Sequence, residues 1–472
     1  MTGSYIPRVK IVCTLGPASS TEETLEGLIE AGMNVARLNF SHGTHEQHEE
    51  TIAMVRRVAD SLERPIAILG DLQGPRIRVG DLPEPRAIDR GEDVVLVPEG
   101  EEGPGEIPIT YDHLATDVHE GDRILIDDGL IELIAIKVSA PKVYARVLNG
   151  GLVRAHKGLN LPGVQVSAPS ITDKDAGDIH FAVEQSLDYL ALSFVRRARD
   201  IEQLKALVPK NLLVISKIEK DIALSNIESI LQASDGVMVA RGDLGVELPF
   251  EEVPNAQKRI IGLANRMGRP VITATQMLES MVEHPRPTRA EASDVANAIL
   301  DGTDAVMLSA ETAAGAYPRL AVEAMTRIIS QVEQHPPPNK LIRLEPTTSM
   351  PVVPTEVAIA AATTAAVDML GAPLVVVFTK SGFSARVVAS HRPGVSILVL
   401  TDQPRTYRQL ALVWGVIPVL VPHCDTYDEM MQRARQTAVE RGIANPGDRI
   451  IVTAGVPFDM PGTTNLLKIE TI

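Results

Sequence analysis

Residues 236–245 read GVMVARGDLG, a short apolar run that ends abruptly on opposite charges around a glycine. The apolar part is typical of a strand buried on both faces. Arg241 and Asp243 would be costly inside a core unless they are solvated, paired or metal-bound. The stretch therefore predicts a strand whose carboxyl end reaches an open, polar edge of the sheet.

The same pattern of aliphatic run, polar ending and helix-like segment occurs repeatedly along the chain. The runs occupy residues 9–16, 34–41, 65–72, 189–195, 212–219, 236–243, 270–276 and 305–311. Amphipathic segments with acidic starts and glycine ends separate most of them. Strands that alternate with helices in this way predict an α/β protein built on a closed parallel (β/α)8 TIM barrel, whose active site lies at the carboxyl ends of the strands.

Two further domains are predicted. A long insertion after the third run contains alternating segments around Asp127-Asp128-Gly129, typical of a hairpin, and predicts a small β-barrel lid over the barrel mouth. Beyond the proline-rich segments 335–340 and 345–356, an Ala-rich helix and further α/β runs predict a third domain with an open sheet. The predicted division is 1–74 with 168–338 for the catalytic barrel, 75–167 for the lid and 339–472 for a C-terminal regulatory domain.

Composition narrows the function classes. The net charge of −16 argues against nucleic-acid binding. No apolar run approaches the roughly 20 residues of a membrane span. The two cysteines, Cys13 and Cys424, are far apart and are interpreted as free thiols in a reducing compartment. We expect a cytoplasmic protein without membrane or nucleic-acid partners.

Polar residues at the strand ends suggest the chemistry. Lys217 and Glu219 are two apart on one strand and point to the same side, and Asp243 ends the next strand. Two carboxylates suit Mg²⁺ or Mn²⁺, and a lysine beside them supplies a cation for a transferred group or an enolate. Further cations are expected at the same mouth: Arg37, Arg78 and Arg241. The set indicates phosphoryl transfer from a polyanionic substrate; the alternative is a network of salt bridges at the barrel rim.

Long motifs in the chain resemble the pyruvate kinase family. They are ARLNFSHG (36–43), GDLQGPRIRVG (70–80), SKIE (216–219), SDGVMVARGDLG (234–245), ATQMLESM (274–281), residues 285–312 and the DDGLI turn. The resemblance covers almost the whole chain. It implies Mg²⁺- or Mn²⁺-dependent phosphoryl transfer from phosphoenolpyruvate to ADP, giving pyruvate and ATP, the last step of glycolysis, by a homotetramer.

The resemblance also implies roles position by position. Arg37 and Lys217 would contact the phosphoryl group in transfer, and Lys217 also the enolate oxygen. Glu219 and Asp243 would hold the metal. The substrate carboxylate would meet backbone N–H groups at Ala240, Arg241 and Gly242. Proton delivery would involve Thr275 with Ser309 and Glu311. The nucleotide phosphates would meet Asn39, His42, Arg78 and Arg197, the last replacing a frequent lysine.

One departure concerns a monovalent cation. The positions that match K⁺ ligands in the family are Asn39, Ser41, Asp71 and Leu72. Arg76 stands where many members have a glutamate. We predict that the Arg76 guanidinium replaces K⁺, which would then not be required. The alternative is that Arg76 points to solvent and K⁺ still binds.

A loop in the third domain is a candidate effector site. It follows an apolar strand and opens a helix, so its hydroxyls and N–H groups could cradle a phosphate. The candidate residues are Thr379, Lys380, Ser381, Gly382 and Ser384. In relatives this loop binds a sugar-phosphate effector, and a nucleotide is a second candidate. The alternative is an ordinary helix cap.

Two other functions compete with a kinase. A metal-dependent aldolase or lyase on the same barrel would not explain the lid, Arg37, Arg78 or the third domain. A catalytically inactive binding protein would not need Lys217, Glu219 and Asp243 together. His42, His45 and His48 lack the spacing of a zinc helix, and beyond His42 they are interpreted as a solvated helix start.

Overall fold

A closed barrel of eight parallel strands forms the centre of the protein, as predicted. The structure is a computed structural model that describes residues 5–335, 353–424, 426–455 and 464–472. The elements before the insertion are β1 (Lys10–Thr14), α1 (Glu22–Ala31), β2 (Val35–Asn39), α2 (His45–Ser61) and β3 (Ala67–Asp71). β1 and β3 are buried along their whole length, because the barrel interior covers one face and the helices the other.

The insertion forms a separate β domain after β3. Its elements are β4 (Arg86–Ile88), β5 (Asp93–Pro98), β6 (Ile107–Ile109), α3 (Leu114–Asp117), β7 (Arg123–Ile126), β8 (Ile131–Ser139), β9 (Lys142–Asn149), β10 (Gly151–Val153) and β11 (Leu159–Asn160). The predicted hairpin is confirmed: β7 and β8 pair antiparallel, and Asp127, Asp128 and Gly129 between them all have positive φ.

The insertion's main sheet has the strand order β11–β7–β8–β9–β5–β6, and β4 pairs with β10 beside it. Single bridges from Arg78 to Gly158 and from Val79 to Ile109 link the two edges of this sheet. This cross-linking gives the domain its barrel-like shape, and its own apolar cluster includes Val79, Leu96 and Ile124. Arg78 therefore lies in the seam of the lid, close to where the lid leaves the barrel.

The second part of the barrel contains the remaining five strands. Its elements are α4 (Asp173–Glu184), β12 (Tyr189–Leu192), α5 (Ala198–Leu207), β13 (Leu213–Ile218), α6 (Asp221–Ser225), α7 (Ile227–Ala233), β14 (Gly236–Ala240), α8 (Arg241–Glu247), α9 (Val253–Arg266), β15 (Val271–Ala274), α10 (Arg289–Asp301), β16 (Ala305–Leu308), α11 (Ala310–Ala313) and α12 (Pro318–Gln334). The strand order is β1–β16–β15–β14–β13–β12–β3–β2. β14 stops at Ala240, so Arg241 and Asp243 belong to the first turn of α8 rather than to the strand end.

The third domain is an open α/β sheet, as predicted. Its elements are α13 (Thr355–Leu370), β17 (Leu374–Phe378), α14 (Phe383–Ser390), β18 (Ser396–Thr401), α15 (Pro404–Gln409), β19 (Val416–Leu420), α16 (Tyr427–Glu440), β20 (Arg449–Ala454) and β21 (Leu466–Thr471). The order is β19–β18–β17–β20–β21, with only β21 antiparallel. The domain boundaries at 74/75 and 167/168 stay predictions, and the one at 338/339 lies outside the described residues.

The third domain covers the amino end of the barrel. Ala411 and Leu412, in a short 3-10 helix, join the apolar cluster formed by inward-facing barrel residues. The Tyr189 hydroxyl at the start of β12 donates to the Gln409 carbonyl at 2.6 Å. Because this end is covered, a ligand site in the barrel has to lie at the carboxyl ends of the strands.

The structure also bears on two expectations that were drawn from composition. Cys13 is buried, Cys424 is half-buried, and both are free thiols. Among the described residues, no helix combines the length and the apolar character needed to cross a membrane.

The joint between barrel and third domain contains a buried lysine with a testable consequence. The Lys10 ammonium donates to the Val416 carbonyl at 2.8 Å. Burial lowers the pKa of Lys10 from 10.5 to about 8, against the attraction of Glu333 and Asp304. Below pH 8 the charge therefore disfavours the folded state, and between pH 8 and 10.5 only the unfolded chain keeps the proton, so stability rises with pH.

We expect Lys10→Met to stabilise the protein at pH 7 by up to about 3 kcal/mol, partly offset by the lost hydrogen bond. The advantage should shrink at pH 10, where the wild-type lysine is already neutral when folded. Thermal unfolding of both proteins at the two pH values measures the difference. An equal advantage at pH 7 and pH 10 would contradict the assigned burial cost.

Candidate active site

The carboxyl ends of β2, β3, β12 and β13 bring cations and carboxylates together. Asp71, the last residue of β3, is buried and accepts from Arg37 Nε on β2 at 2.7 Å. Its other oxygen lies 3.2 Å from Lys217 Nζ on β13. Burial acts to raise the pKa of Asp71, but Lys217 and Arg37 outweigh it and hold that pKa below its usual range. Asp71 is therefore an anion that fixes two cations side by side.

Lys217 is the central cation of the cluster. Its Nζ lies 2.8 Å from Glu219 Oε1 and donates to Ser193 Oγ at 2.7 Å. Burial acts to lower the pKa of Lys217, but the Asp71 and Glu219 carboxylates more than reverse this and raise it overall. Lys217 is thus held as an ammonium ion in a largely dry environment, where its charge acts strongly on neighbouring groups.

Glu219 and Asp243 are the two carboxylates predicted to bind a metal, and that role stays a prediction. Glu219 is buried, and its Oε2 accepts from the Phe194 N–H at 2.7 Å. Burial raises the pKa of Glu219; the Lys217 ammonium opposes this, the nearby Asp243 carboxylate adds to it, and the net direction is upward. Two neighbouring carboxylates that repel each other are a donor set that a divalent cation stabilises.

This pair also limits what metal site is possible. No group of three or more His, Cys, Asp or Glu side chains that could hold a metal ion occurs in the described ranges. Two carboxylates fit Mg²⁺, which usually binds one or two protein carboxylates and takes its other ligands from water and substrate oxygens. His42, His45 and His48 form no such group either, and His45 instead pairs with Asp178 at 2.8 Å.

The start of α8 lies against the end of β15. The Gly242 N–H donates to Thr275 Oγ1 at 2.8 Å, and the Arg241 guanidinium is bound to Asp294 and to the Thr275 carbonyl. The Arg241 guanidinium is therefore occupied by other protein groups. Only the backbone of Arg241 is left to bind a ligand. Thr275 has φ of +67°, which is rare for a β-branched residue and costs of order 1–3 kcal/mol.

Ser309 and Glu311 form a small buried group after β16. The Glu311 carboxylate accepts from the Leu278 N–H at 3.0 Å and from the Ser309 N–H at 2.6 Å. Burial raises the pKa of Glu311, which favours its protonated form. Within the described residues the Ser309 hydroxyl is buried without a hydrogen-bond partner. The group therefore contains a potential proton carrier and a hydroxyl with unused hydrogen-bonding capacity.

The predicted nucleotide residues are more exposed. His42 and Arg197 are exposed, and Arg78 is half-buried with its N–H bonded to Thr110 Oγ1 at 3.0 Å. Asn39 is half-buried, and its Oδ1 accepts from the Ser41 N–H at 3.2 Å. These residues lie on three separate segments of the barrel and lid, and they stay predictions.

An open cleft lies between the lid and the barrel. Asp243, Phe194 and Lys220 line it from the barrel, and Arg76 and Asn160 line it from the lid side. Arg76 is exposed on this cleft. Asp243 therefore lies on the wall of a cleft that residues of the lid also line.

The candidate effector loop has a compact internal structure. Gly382 has φ of +75°, a conformation that favours glycine, and its N–H donates to Thr379 Oγ1 at 3.0 Å. Ser381 is exposed, whereas Ser384 is buried with its hydroxyl 2.6 Å from Thr464 Oγ1. The Lys380 carbonyl accepts from Thr406 Oγ1 at 2.7 Å. Of the two serines, Ser381 is the more accessible to a ligand.

Sequence reasoning missed three features of the site. Neither the contact of Ser193 with Lys217 nor the position of Asp71 between Arg37 and Lys217 was predicted. The motif GDLQG around Asp71 had been interpreted only as part of a binding site for a monovalent cation. The ion pair of Lys220 with Glu247 was also missed, because both residues lie just outside the quoted motifs and 27 positions apart along the chain.

Comparisons with known proteins agree with this geometry. The family model of the pyruvate kinase barrel domain matches residues 6–322, and that of the pyruvate kinase alpha/beta domain matches residues 357–470. A pyruvate kinase of Staphylococcus aureus is 47% identical over 472 residues, covering 98% of this chain and 80% of that protein. One of Staphylococcus haemolyticus is 46% identical over 477 residues with the same coverage. The crystal structure of a pyruvate kinase from Cryptosporidium parvum superposes with a TM-score of 0.92 at 36% identity, covering 98% of this chain and 96% of that one.

Proposed function

Since this chain belongs to the pyruvate kinase family and is a phosphotransferase enzyme, we propose that it transfers the phosphoryl group of phosphoenolpyruvate to ADP, yielding pyruvate and ATP. One observation carries the proposal. The Lys217 ammonium lies 2.8 Å from Glu219 and 3.2 Å from Asp71, at the open end of the barrel. Phosphoryl transfer requires this kind of charge-neutralising, prearranged cluster and no covalent chemistry on the protein.

Glu219 and Asp243 would hold Mg²⁺ or Mn²⁺, and the repulsion between the two carboxylates supports this assignment. When bound, the divalent ion supplies positive charge to substrate oxygens. Lys217 and Arg37 would stabilise the negative charge on the phosphoryl oxygens, and Lys217 also the charge on the enolate oxygen. Both cations are held in place by Asp71, so they need no reorganisation during the reaction.

The substrate carboxylate would bind at the start of α8, through N–H groups of Ala240, Arg241 and Gly242. The contact of the Gly242 N–H with Thr275 Oγ1 supports a short distance between this helix start and Thr275. Thr275 would then lie beside the carbon to be protonated. The unpartnered Ser309 hydroxyl and the raised pKa of Glu311 support a proton path through these two residues.

The nucleotide would bind between barrel and lid. Its phosphates would meet Arg78 in the lid seam, Arg197 at the start of α5, and Asn39 with His42 after β2. The exposure of His42 and Arg197 supports access for a large, charged ligand. We also propose a homotetramer in the cytoplasm, in line with the family resemblance and the two free thiols.

A coupled assay with lactate dehydrogenase, phosphoenolpyruvate, ADP and MgCl₂ tests the proposed function. Pyruvate should form only when both substrates and the metal are present, and Mn²⁺ should restore activity after EDTA. Pyruvate formed without ADP would indicate hydrolysis by a phosphatase instead, and a lyase or an aldolase would form no pyruvate from phosphoenolpyruvate in this assay. No reaction with any divalent metal would refute the proposal and leave a lyase, an aldolase or a binding protein.

We further propose that K⁺ is not required, because Arg76 supplies the missing positive charge. Asp71, at one of the K⁺-ligand positions, already faces two cations, and Arg76 lines the cleft beside Asp243. With K⁺ replaced by tetramethylammonium, the wild type should keep its turnover within about twofold. Arg76→Glu should lose most of its activity in that medium and regain it with K⁺, because a carboxylate needs a counter-ion there.

The matched control for the cation experiment is Arg90→Glu, an equal change of charge at a lid position remote from the motifs. It should show no dependence on K⁺. A large loss of wild-type activity in tetramethylammonium would reject the proposal and favour the alternative in which Arg76 faces solvent and K⁺ binds.

Allosteric activation through the Thr379–Ser384 loop is the last part of the proposed function. The exposed Ser381 and the positive φ of Gly382 support an anion site at the start of α14. Addition of glucose 6-phosphate, ribose 5-phosphate or AMP should lower the KM for phosphoenolpyruvate. Ser381→Asp should abolish this effect through charge repulsion, with turnover in the absence of effector nearly unchanged.

A control at the same loop is Ser381→Ala, which removes a hydroxyl without adding charge and should weaken activation only in part. Ser384→Asp should also abolish activation, but its buried contact with Thr464 makes it the less direct probe. Activation that survives Ser381→Asp unchanged would exclude this loop as the effector site.

A further inference from the structure

A buried ion pair lies at the floor of the cleft between lid and barrel. Lys220 Nζ is bonded to Glu247 Oε1, and the two side chains are 16% and 1% exposed. Lys220 directly follows Glu219, and Glu247 lies one helical turn beyond Asp243 on α8. The pair therefore ties together the two elements that supply the two carboxylates of the candidate metal site.

One carboxylate oxygen of Glu247 is in surroundings that are unusual for a residue with a purely structural role. Within the described part of the chain, its Oε2 is buried and has no hydrogen-bond partner. A buried carboxylate with an unsatisfied oxygen is costly, and a pair of apolar side chains would close the same gap at lower cost. Glu247 thus keeps one unused acceptor, and both Glu247 and Asp243 line the same cleft.

Two contacts connect this pair to the lid and to the catalytic cluster. Asn160 Nδ2 of β11, in the lid, donates to Glu247 Oε1 at 3.4 Å, a long hydrogen bond that leaves room to tighten. The Lys220 ammonium lies 5.7 Å from the centre of the Phe194 ring, and the Phe194 N–H donates to Glu219. Glu247 therefore contacts the lid through Asn160, and Lys220 contacts Phe194, the residue whose N–H binds Glu219.

We propose that Glu247 is a positioning residue for the two carboxylates that would bind the metal, Glu219 and Asp243. With Lys220 it sets the spacing between Glu219 and Asp243, and with Asn160 it makes this spacing respond to the position of the lid. The proposal rests on the proposed function only in that Glu219 and Asp243 bind the divalent ion. Glu247 itself does not touch the substrate or the metal in this scheme.

Direct Mn²⁺ binding, measured by electron paramagnetic resonance on the full-length protein without substrates, tests the proposal independently of turnover. Glu247→Gln and Lys220→Met should each weaken Mn²⁺ binding roughly tenfold, the size typical of groups that orient metal ligands. The double variant should be no weaker than either single one, because both remove the same link. Glu247→Asp should recover part of the affinity, because it restores the charge.

Lys205→Met is the matched control. Lys205 pairs with Asp235 at 2.8 Å elsewhere in the barrel, so its loss removes another, more exposed ion pair of the barrel without touching Glu219 or Asp243. Its Mn²⁺ affinity should equal that of the wild type. Thermal unfolding of all variants identifies any that fail to fold, and in that event Lys220→Met reports on the same pair in place of Glu247→Gln.

The lid contact needs its own measurement. Asn160→Ala should leave Mn²⁺ binding to the free protein within twofold of wild type. Hydrogen exchange of residues 158–166 should slow on addition of Mn²⁺ and phosphoenolpyruvate in the wild type and much less in Asn160→Ala. Equal slowing in both proteins would overturn the part of the proposal that concerns the lid.

Glu219→Gln separates failure of this proposal from failure of the proposed function. If Glu219→Gln loses Mn²⁺ binding while Glu247→Gln and Lys220→Met bind like the wild type, the metal site stands and the positioning role is refuted. If Glu219→Gln also binds Mn²⁺ like the wild type, the metal site itself is refuted, and the positioning role falls with it.

Discussion

Lys217→Met is expected to lower kcat roughly a thousandfold, because it removes the cation at the centre of the candidate site. Loss of one preorganised group that stabilises developing charge typically costs two to three orders of magnitude in rate. Lys217 contacts both Glu219 and Asp71, and burial amplifies its effect on neighbouring charges. The lactate dehydrogenase-coupled assay at saturating phosphoenolpyruvate, ADP and Mg²⁺ measures the change.

The loss should appear in kcat far more than in the KM for ADP, since the proposed role of Lys217 is to stabilise charge on the phosphoryl group and the enolate oxygen rather than to bind the nucleotide. Lys205→Met serves as the control for removal of a lysine from an ion pair and should keep kcat within about twofold. A Lys217→Met protein that folds and retains more than a tenth of the wild-type kcat would remove the basis of the proposed mechanism.

Asp188→Asn is expected to destabilise the protein by about 3 kcal/mol, because it leaves two arginines without their counter-charge. Asp188 is fully buried and contacts Arg56 at 2.8 Å and Arg408 at 3.0 Å. It also accepts from the Ile68 N–H at 2.9 Å. Arg56 belongs to the barrel and Arg408 to the third domain, so the substitution weakens the joint between the two.

Urea unfolding followed by tryptophan fluorescence measures this effect. Trp414 is the only tryptophan, and it lies in the same joint, where its backbone N–H donates to Asp304 Oδ1 at 3.3 Å. Glu22→Gln breaks an exposed pair with Arg57 and should shift the transition by less than about 0.5 kcal/mol. A shift below 1 kcal/mol for Asp188→Asn would show that the buried cluster contributes little to the joint.

Secondary structure was largely accessible from the sequence. All eight predicted barrel strands are present, as are the lid hairpin and the five strands of the third domain. These predictions succeeded because buried strands read as continuous aliphatic runs and their polar endings mark where the chain leaves the core. The error at Arg241 and Asp243 arose because a polar strand end and the first turn of a helix have the same composition.

The arrangement of charges was less accessible. The spacing of Lys217 and Glu219 predicted a shared side of one strand, and the structure confirms their contact. Nothing in the sequence indicated that Arg241 would form an ion pair with Asp294, or that Glu247 would form one with Lys220. Each charged residue has many possible partners, and only the packing of the elements selects one.

By itself, the sequence determined which segments form strands and helices, and which strand ends carry cations and carboxylates, because these properties depend on neighbours along the chain. The tertiary structure alone decided that Asp71 lies between Arg37 and Lys217, that the third domain covers the amino end of the barrel, and that Glu247 faces the lid. The physical reason is that an ion pair depends on distance in space. Barrel closure brings together residues that are far apart in the chain.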